Sequence, residues 1–358
     1  MVTGYKYLGL WVDKNVRGRW KKMKSIMLEK ARKRVGVAWG MALNSGCMTV
    51  RSGKRIWEAL VRPVLEYGAE VWEEEHNCRW EEAERLQMKM GKRILGCSSR
   101  MSNEVVRGEL GWWSMRGRRM LLRIRFWCRI VRMRRERLVR KIYEESRRRY
   151  VDNGIKNWCS YTHVLLKLVG LEEWWHNNRV ELDYSKQVYL AVRKWENEIW
   201  KEGVASKTKL KIYSRLKSKI GYENYLDSKD VRGRRLMTKL RGGSNGLRLE
   251  TGRWVGLERN ERLCELCYDG VEDVKHVLFH CNLYTDLRNA WRKGEFGDMN
   301  VDRWWDDENV VVDDWMLEYV LRGSVRGRER LDIYERRNKI VMRYVKAVMG
   351  RRRRCLLI

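Results

Sequence analysis

The sequence predicts a mainly α-helical protein, on three observations. Its 358 residues contain a single proline, Pro63, so little interrupts long helices. Apolar residues recur every three or four positions through most long stretches. The alternation expected of a strand is confined to the first residues. A hydrophobic content of 44% is ample for a core, and the length suggests two or three domains.

Met1 to Asp13 alternates aromatic and β-branched residues and reads as one strand. An isolated strand is not stable, so its partners are expected upstream, and the chain is expected to start inside a fold. Arg17 to Met41 reads as a basic amphipathic helix with Ile26, Ala31 and Val35 on its apolar side. Val50 to Trp72 reads as a second helix, which Pro63 should kink or end. Asn77 is placed to cap a third, in which Trp80, Ala83, Leu86, Met90 and Ile94 repeat at helical spacing and Gly96 closes the run.

Gly117 to Tyr143 reads as one long helix. Met120, Ile124, Trp127, Val131, Leu138 and Ile142 share one face of the helical wheel, while Arg118, Arg125, Arg129, Arg132 and Arg140 share the other. The arginine line would extend about 33 Å at ~1.5 Å per residue. From Arg116 to Arg149 there are fifteen basic residues against three acidic, so pairing within the helix cannot neutralise it. Guanidinium forks suit phosphate oxygens and position a backbone without reading bases. A solvated basic face is the bland alternative.

Asn157 to Ile220 is helical and rich in tryptophan; such a stripe is more often core than a base-stacking platform. His163 and His176 have no ligand partners in the sequence pattern. Glycines from Asp230 to Gly256 mark a boundary and match no phosphate loop. Beyond it, Cys264, Cys267, His276 and Cys281 form C-x2-C-x8-H-x4-C, a complete tetrahedral zinc set with no open position. Tyr268-Asp269-Gly270 supplies a turn, and Asp273 begins a helix that carries His276 inward. His280 in place of Cys281 is a second possible set. Helices are expected at Tyr284 to Lys293, Val301 to Leu321 and Arg326 to Met349. The end, Gly350-Arg-Arg-Arg-Arg-Cys-Leu-Leu-Ile358, fits a prenylation box at Cys355 after a polybasic run, or simply a basic tail.

The charge is set by 78 basic and 47 acidic side chains, a net +31. So large an excess favours an anionic partner, nucleic acid first and an anionic membrane surface second. A purine-rich coding strand would skew composition the same way, so the arrangement of the arginines is more telling than their number. No apolar run is long enough for a transmembrane helix, and no signal peptide opens the chain. The scattered single cysteines look like small buried residues rather than a disulfide framework.

Four landmarks occur in a meaningful order. Tyr5-Lys-Tyr-Leu-Gly-Leu resembles the strand closing the palm of non-LTR (LINE-type) retrotransposon reverse transcriptases. Leu60-Val-Arg-Pro-Val-Leu-Glu-Tyr-Gly-Ala-Glu-Val-Trp72 is similar to their thumb-helix signature. Glu109-Leu-Gly-Trp-Trp-Ser-Met-Arg-Gly-Arg-Arg119 resembles the segment that follows. The cysteine cluster resembles their C-terminal zinc knuckle, with His276, Phe279 and Cys281 matching its ending and favouring Cys281 over His280. The resemblance implies a last palm strand (1–15), a helical thumb (16–100), a basic helical connector (101–250), a CCHC zinc knuckle (251–295) and a helical tail with a polybasic end (296–358).

The family's catalytic aspartates sit in an Ala-Asp-Asp hairpin, and no such motif occurs here. Asp306-Asp307 and Asp313-Asp314 are acidic pairs of that look, but read as solvated helix-start residues. The resemblance therefore implies a nucleic-acid-binding C-terminal part of an RNA-directed DNA polymerase, without polymerase catalysis in this chain. Its partners would be RNA, DNA and RNA–DNA hybrid, in the nucleus or a cytoplasmic ribonucleoprotein. Arg62, Lys21 and Lys22 are further candidates for thumb contacts. The alternative is a polybasic, prenylated peripheral membrane adaptor.

Overall fold

A computed structural model describes residues 4–13, 20–45, 49–72, 78–297, 314–325, 327 and 329–357. The described chain is mainly helical, with one two-stranded sheet. It divides into two compact units, Met1–Gly91 with Trp112–Trp200, and Lys92–Gly111 with Lys201–Ile358.

In the first unit, β1 (Gly4–Tyr7) pairs antiparallel with β2 (Leu10–Asp13), Gly4 opposite Asp13 and Tyr7 opposite Leu10. The single strand expected here is instead a hairpin that supplies its own partner. Leu8 and Gly9 make the reversal possible: both have positive φ, 45° and 81°, as the two-residue turn matching strand twist requires. The Tyr67 hydroxyl donates to the Leu8 carbonyl. Helix α1 (Lys21–Ser45) packs on β2 and buries Met23, Met27, Ala31, Val35 and Ala38.

The expected second helix is interrupted. Thr49 caps α2 (Val50–Ile56) by accepting from the Ser52 amide, and a π-helical turn follows at Trp57–Val61 before α3 (Arg62–Glu66). Pro63 has no N–H for the preceding turn. The chain accommodates it with a wider turn, the Arg62 amide donating to the Trp57 carbonyl five residues back. Helix α4 (Glu81–Leu95) buries Ala83, Leu86 and Met90 as its spacing predicts, and ends at Gly96 with φ 64°. Its expected cap, Asn77, lies outside the described residues.

Chain order next brings α5 (Asn103–Leu110), which belongs to the second unit, and then α6 (Met115–Val131). Ser114 caps α6 by accepting from the Gly117 amide. The long helix expected over Gly117 to Tyr143 is two helices. Residues 132–137 are non-helical, and α7 (Leu138–Asn153) starts afresh. Arg129, Arg132 and Arg135 are spaced like charges at i,i+3, which weaken a helix, and the first acid that could offset them is Glu136.

The break shifts the phase of the wheel. Met120, Ile124 and Trp127 are buried as expected, but Leu138 and Ile142 are 70% and 57% exposed. Helix α7 buries Arg140 and Tyr143 instead. These join a core with α8 (Trp158–Leu168), α9 (Glu172–Asn177) and α10 (Tyr184–Ala205), filled by Leu165, Leu166, Trp175, Val188, Val192 and Trp195. Trp175, Trp195 and Trp200 are core, so the tryptophan stripe is packing here.

The second unit contains α5, α11 (Lys211–Leu216), α12 (Val231–Arg241), α13 (Arg248–Thr251), α14 (Thr285–Arg292), α15 (Asp314–Val320) and α16 (Leu331–Cys355). Helix α16 runs further than its predicted end at Met349. Helices α12 and α16 cross closely at Gly233, where an added Cβ would lie 2.9 Å from the Met342 Cβ. A buried ion network sits under α12. Arg241 Nη2 is 2.8 Å from Glu109 Oε1 and 3.6 Å from Glu223 Oε2, and Lys217 pairs with Glu223. Glu109 opens the third sequence landmark, and its place here is this buried pair. Gly111, with φ 68°, ends that turn against the backbone of Tyr222, 2.8 Å from where a Cβ would lie.

Candidate metal centre and basic surface

Cys264, Cys267, His276 and Cys281 converge, with ligand atoms all within 4.8 Å of one another. Each is placed by a local cause. Leu263 bridges Val271 antiparallel, and the Cys264 amide donates to Gly270 O at 2.8 Å, which folds the first cysteine pair into a loop. The Tyr268 amide donates to Cys264 O, and Gly270 adopts φ 119°, open only to glycine. Asp273 accepts from the His276 amide at 2.8 Å and so starts the turn that carries the histidine inward. A π-helical turn, His276–His280, brings the Cys281 amide back onto His276 O.

Cys267 Sγ and His276 Nε2 are 3.3 Å apart. With metal–sulfur and metal–nitrogen bonds of ~2.3 and ~2.0 Å, tetrahedral edges are about 3.5–3.8 Å, so four donors at this spacing can hold one metal ion. Burial, ahead of the neighbouring thiols, pushes the Cys281 thiol up to about 12, so a thiolate there calls for a nearby cation. His280 is exposed and does not belong to the group.

Helix α16 braces this segment. Arg352 makes a bidentate pair with the buried Glu272, Nε to Oε1 at 2.6 Å and Nη2 to Oε2 at 2.7 Å. Glu272 Oε2 also accepts from the Arg248 amide, and Cys264 Sγ lies 3.9 Å from Oε1. Arg288 donates to Cys281 O at 2.7 Å, and the Tyr344 hydroxyl donates to Leu278 O. Glu272 carries no signal in the sequence pattern, because its partner lies eighty residues away.

The arginines predicted to form one line do not. Arg118 pairs with Glu66, Nε to Oε1 at 2.8 Å. Arg125 is half-buried and donates to Ser185 O at 3.0 Å. Arg140 is buried and pairs with Glu144 at 2.7 Å. Only Arg129 and Arg132 of the five are exposed. Arg62 lies between Glu58 and Glu66, at 3.9 and 3.5 Å, and burial followed by the Arg118 charge lowers its pKa. Lys21 and Lys22 are exposed on α1, the Lys22 ammonium 3.4 Å over the Trp11 ring.

Exposed charge instead concentrates where the long helix breaks. Arg129, Arg132, Arg134, Arg135, Arg137 and Lys141 are all exposed, with Glu136 the one exposed acid among them. Part of the +31 is structural: Arg119 and Arg123 are buried on α6, Arg119 stacking on Trp72 and Trp80, and Arg123 bonding Thr162 and the Trp72 carbonyl.

His163 and His176 have no ligand partners in the sequence pattern. Folding brings Glu172 to both, 3.2 Å from His163 Nε2 and 3.8 Å from His176 Nε2. Asp314 pairs with Arg215; Asp306, Asp307 and Asp313 lie outside the described residues. Cys355 is exposed in the last turn of α16, while Arg351 and Arg352 of the basic run are held by Asp286 and Glu272. Among the described residues, no helix is long and apolar enough to cross a membrane.

Compared with protein-family models, with curated proteins and with solved structures, the chain matches none.

Proposed function

We propose that the chain is a nucleic-acid-binding C-terminal part of a non-LTR retrotransposon reverse transcriptase. It would hold template–primer or target nucleic acid without carrying polymerase catalysis, in the nucleus or a cytoplasmic ribonucleoprotein. Cys264, Cys267, His276 and Cys281 hold one structural zinc, the borderline ion that thiolate and imidazole prefer. When bound, zinc fixes the loop carrying the first cysteine pair against the turn carrying His276. By the sequence landmarks, the hairpin and α1–α4 correspond to the end of the palm and the thumb.

The observation that carries this reading is the exposed basic stretch Arg129–Lys141, centred on the turn between α6 and α7, with six exposed cations against one exposed acid within thirteen residues. Such a surface is suited to phosphate, with Lys21 and Lys22 as further contacts. The prenylated membrane adaptor has less support, because two of the four tail arginines are tied into ion pairs.

The test is binding of duplex DNA and of an RNA–DNA hybrid to the full chain across a salt series. Affinity should fall steeply with salt and depend weakly on sequence, since each neutralised phosphate contributes about −0.9 to the logarithmic slope for duplex. Affinity indifferent to salt sinks the reading.

A further inference from the structure

We propose that His163, Glu172 and His176 form a second metal site, for a borderline divalent transition cation of the zinc or cobalt kind. The site lies within the first unit, is built from α8 and α9, and is independent of the cysteine cluster. The donor atoms lie within 4.8 Å of one another. For bonds of ~2.0 Å to nitrogen and oxygen, a tetrahedral edge is about 3.3 Å. His163 Nε2 already stands 3.2 Å from Glu172 Oε1, and His176 Nε2 stands 3.8 Å from the same oxygen. A cation among them needs only small side-chain movements.

The arrangement follows from local structure. Glu172 and His176 are i,i+4 on α9 and so share one helical face. The tight connection Val169–Leu171 returns α9 against α8, closed by the Leu171 amide donating to Leu166 O at 2.8 Å. That brings His163, one turn before the end of α8, to the same place.

His163 is held in the orientation a ligand needs. Its ring stacks on the buried Trp175, centroids 4.9 Å apart and planes 9° from parallel. Its Nδ1 is 3.1 Å from the Tyr150 hydroxyl. In the metal-bound form Nδ1–H donates to that hydroxyl and leaves the Nε2 lone pair directed at the ion, the outer contact that ligating histidines ordinarily have. The ring of His176 stands edge-on to that of His163 at 5.6 Å.

Lys167 also faces the carboxylate, its Nζ 3.6 Å from Glu172 Oε1. Its side chain is 71% exposed and can swing into solvent when a divalent ion replaces it. Two imidazoles and a carboxylate are a borderline-to-hard set, suited to zinc, cobalt or nickel rather than to calcium. Three protein ligands leave at least one position for water or a donor from outside the chain. With His176 63% exposed, that position faces solvent.

Cobalt(II) separates the two sites, since a cysteine-rich site gives an intense thiolate-to-metal band and a His/Glu site gives only weak ligand-field absorption. The full chain is titrated with Co2+, and bound metal is counted by equilibrium dialysis. Two equivalents are expected, the second without a thiolate band. His176→Ala, at an exposed position that leaves packing intact, should weaken the second equivalent by about 10-fold or more and keep the thiolate band. Glu172→Gln should do the same. Saturation at one equivalent would overturn the proposal, as would a second equivalent that both variants bind unchanged.

Discussion

The brace between α16 and the cysteine–histidine segment makes a quantitative prediction. Glu272 is fully buried, and both its oxygens face the Arg352 guanidinium. Replacing Arg352 by Met keeps most of the side-chain volume but leaves a buried carboxylate with the Arg248 amide as its remaining close donor. Breaking a buried pair this way costs about 3–5 kcal/mol, because the surviving charge is uncompensated. The loss falls beside Cys264, so the metal-bearing loop should loosen with it. A chain of two units need not unfold in one step, so the probe must report this segment alone. Co2+ loaded into the cysteine site supplies it, through the thiolate band. With a urea m-value of ~1–3 kcal/mol/M, the midpoint of that band should fall by at least about 1 M in Arg352→Met. Glu272→Leu with Arg352→Met should lose less than the sum of the single changes, since neither charge is then left alone. A midpoint within about 0.2 M of the parent, or strictly additive losses, would refute the reasoning; 0.2 M is only ~0.2–0.6 kcal/mol on the same slope.

Further expectations concern packing and pH. Ile142→Ser should change stability by no more than about 0.5 kcal/mol, because Ile142 faces solvent, whereas Tyr143→Ala in the core should cost about 3–5 kcal/mol; urea unfolding compares them. Gly233→Ala should cost about 1–3 kcal/mol by thermal unfolding, because the new methyl meets Met342 and Asp230. Asp230 is partly buried, which raises its pKa, but the Lys346 and Gly233 hydrogen bonds outweigh burial and hold it below the ordinary carboxylate value. A depressed folded pKa contributes stability that is present above the unfolded pKa of ~3.9 and is lost as pH falls through the folded value. Acid unfolding followed by circular dichroism should therefore show a shallower acid limb in Asp230→Asn.

Much of this was legible in the sequence where one period governs one element. The α4 repeat of Ala83, Leu86 and Met90 faces the core as its spacing requires. The cysteine–histidine group was legible for a different reason: its ligands are near in sequence, so spacing alone brings them together. The predicted turn at Tyr268 to Gly270 and the Asp273 start are both present. The hairpin was missed because alternation continues through Leu8 and Gly9, and the positive φ of both residues leaves no mark on hydrophobic pattern.

The α6–α7 break was missed for a related reason. A wheel drawn through Arg118 to Arg140 assumes an unbroken helix, and like-charge repulsion is weak enough per pair to be overlooked. Once the helix breaks, every later residue changes face, which turned Arg140 inward and Ile142 outward. The Glu272–Arg352 and Glu109–Arg241 pairs and the meeting of Glu172 with His163 depend on tertiary return of the chain, which no local period encodes.

On the function proposed, the turn between α6 and α7 engages phosphate. The most direct measurement of this is the salt dependence of RNA–DNA hybrid binding by the parent chain and by a variant with Arg132, Arg134 and Arg135 changed to Ala. If these three exposed residues each neutralise a phosphate, the logarithmic slope should become shallower by about 2–3 units while the fold is unchanged. An identical slope in parent and variant would contradict it.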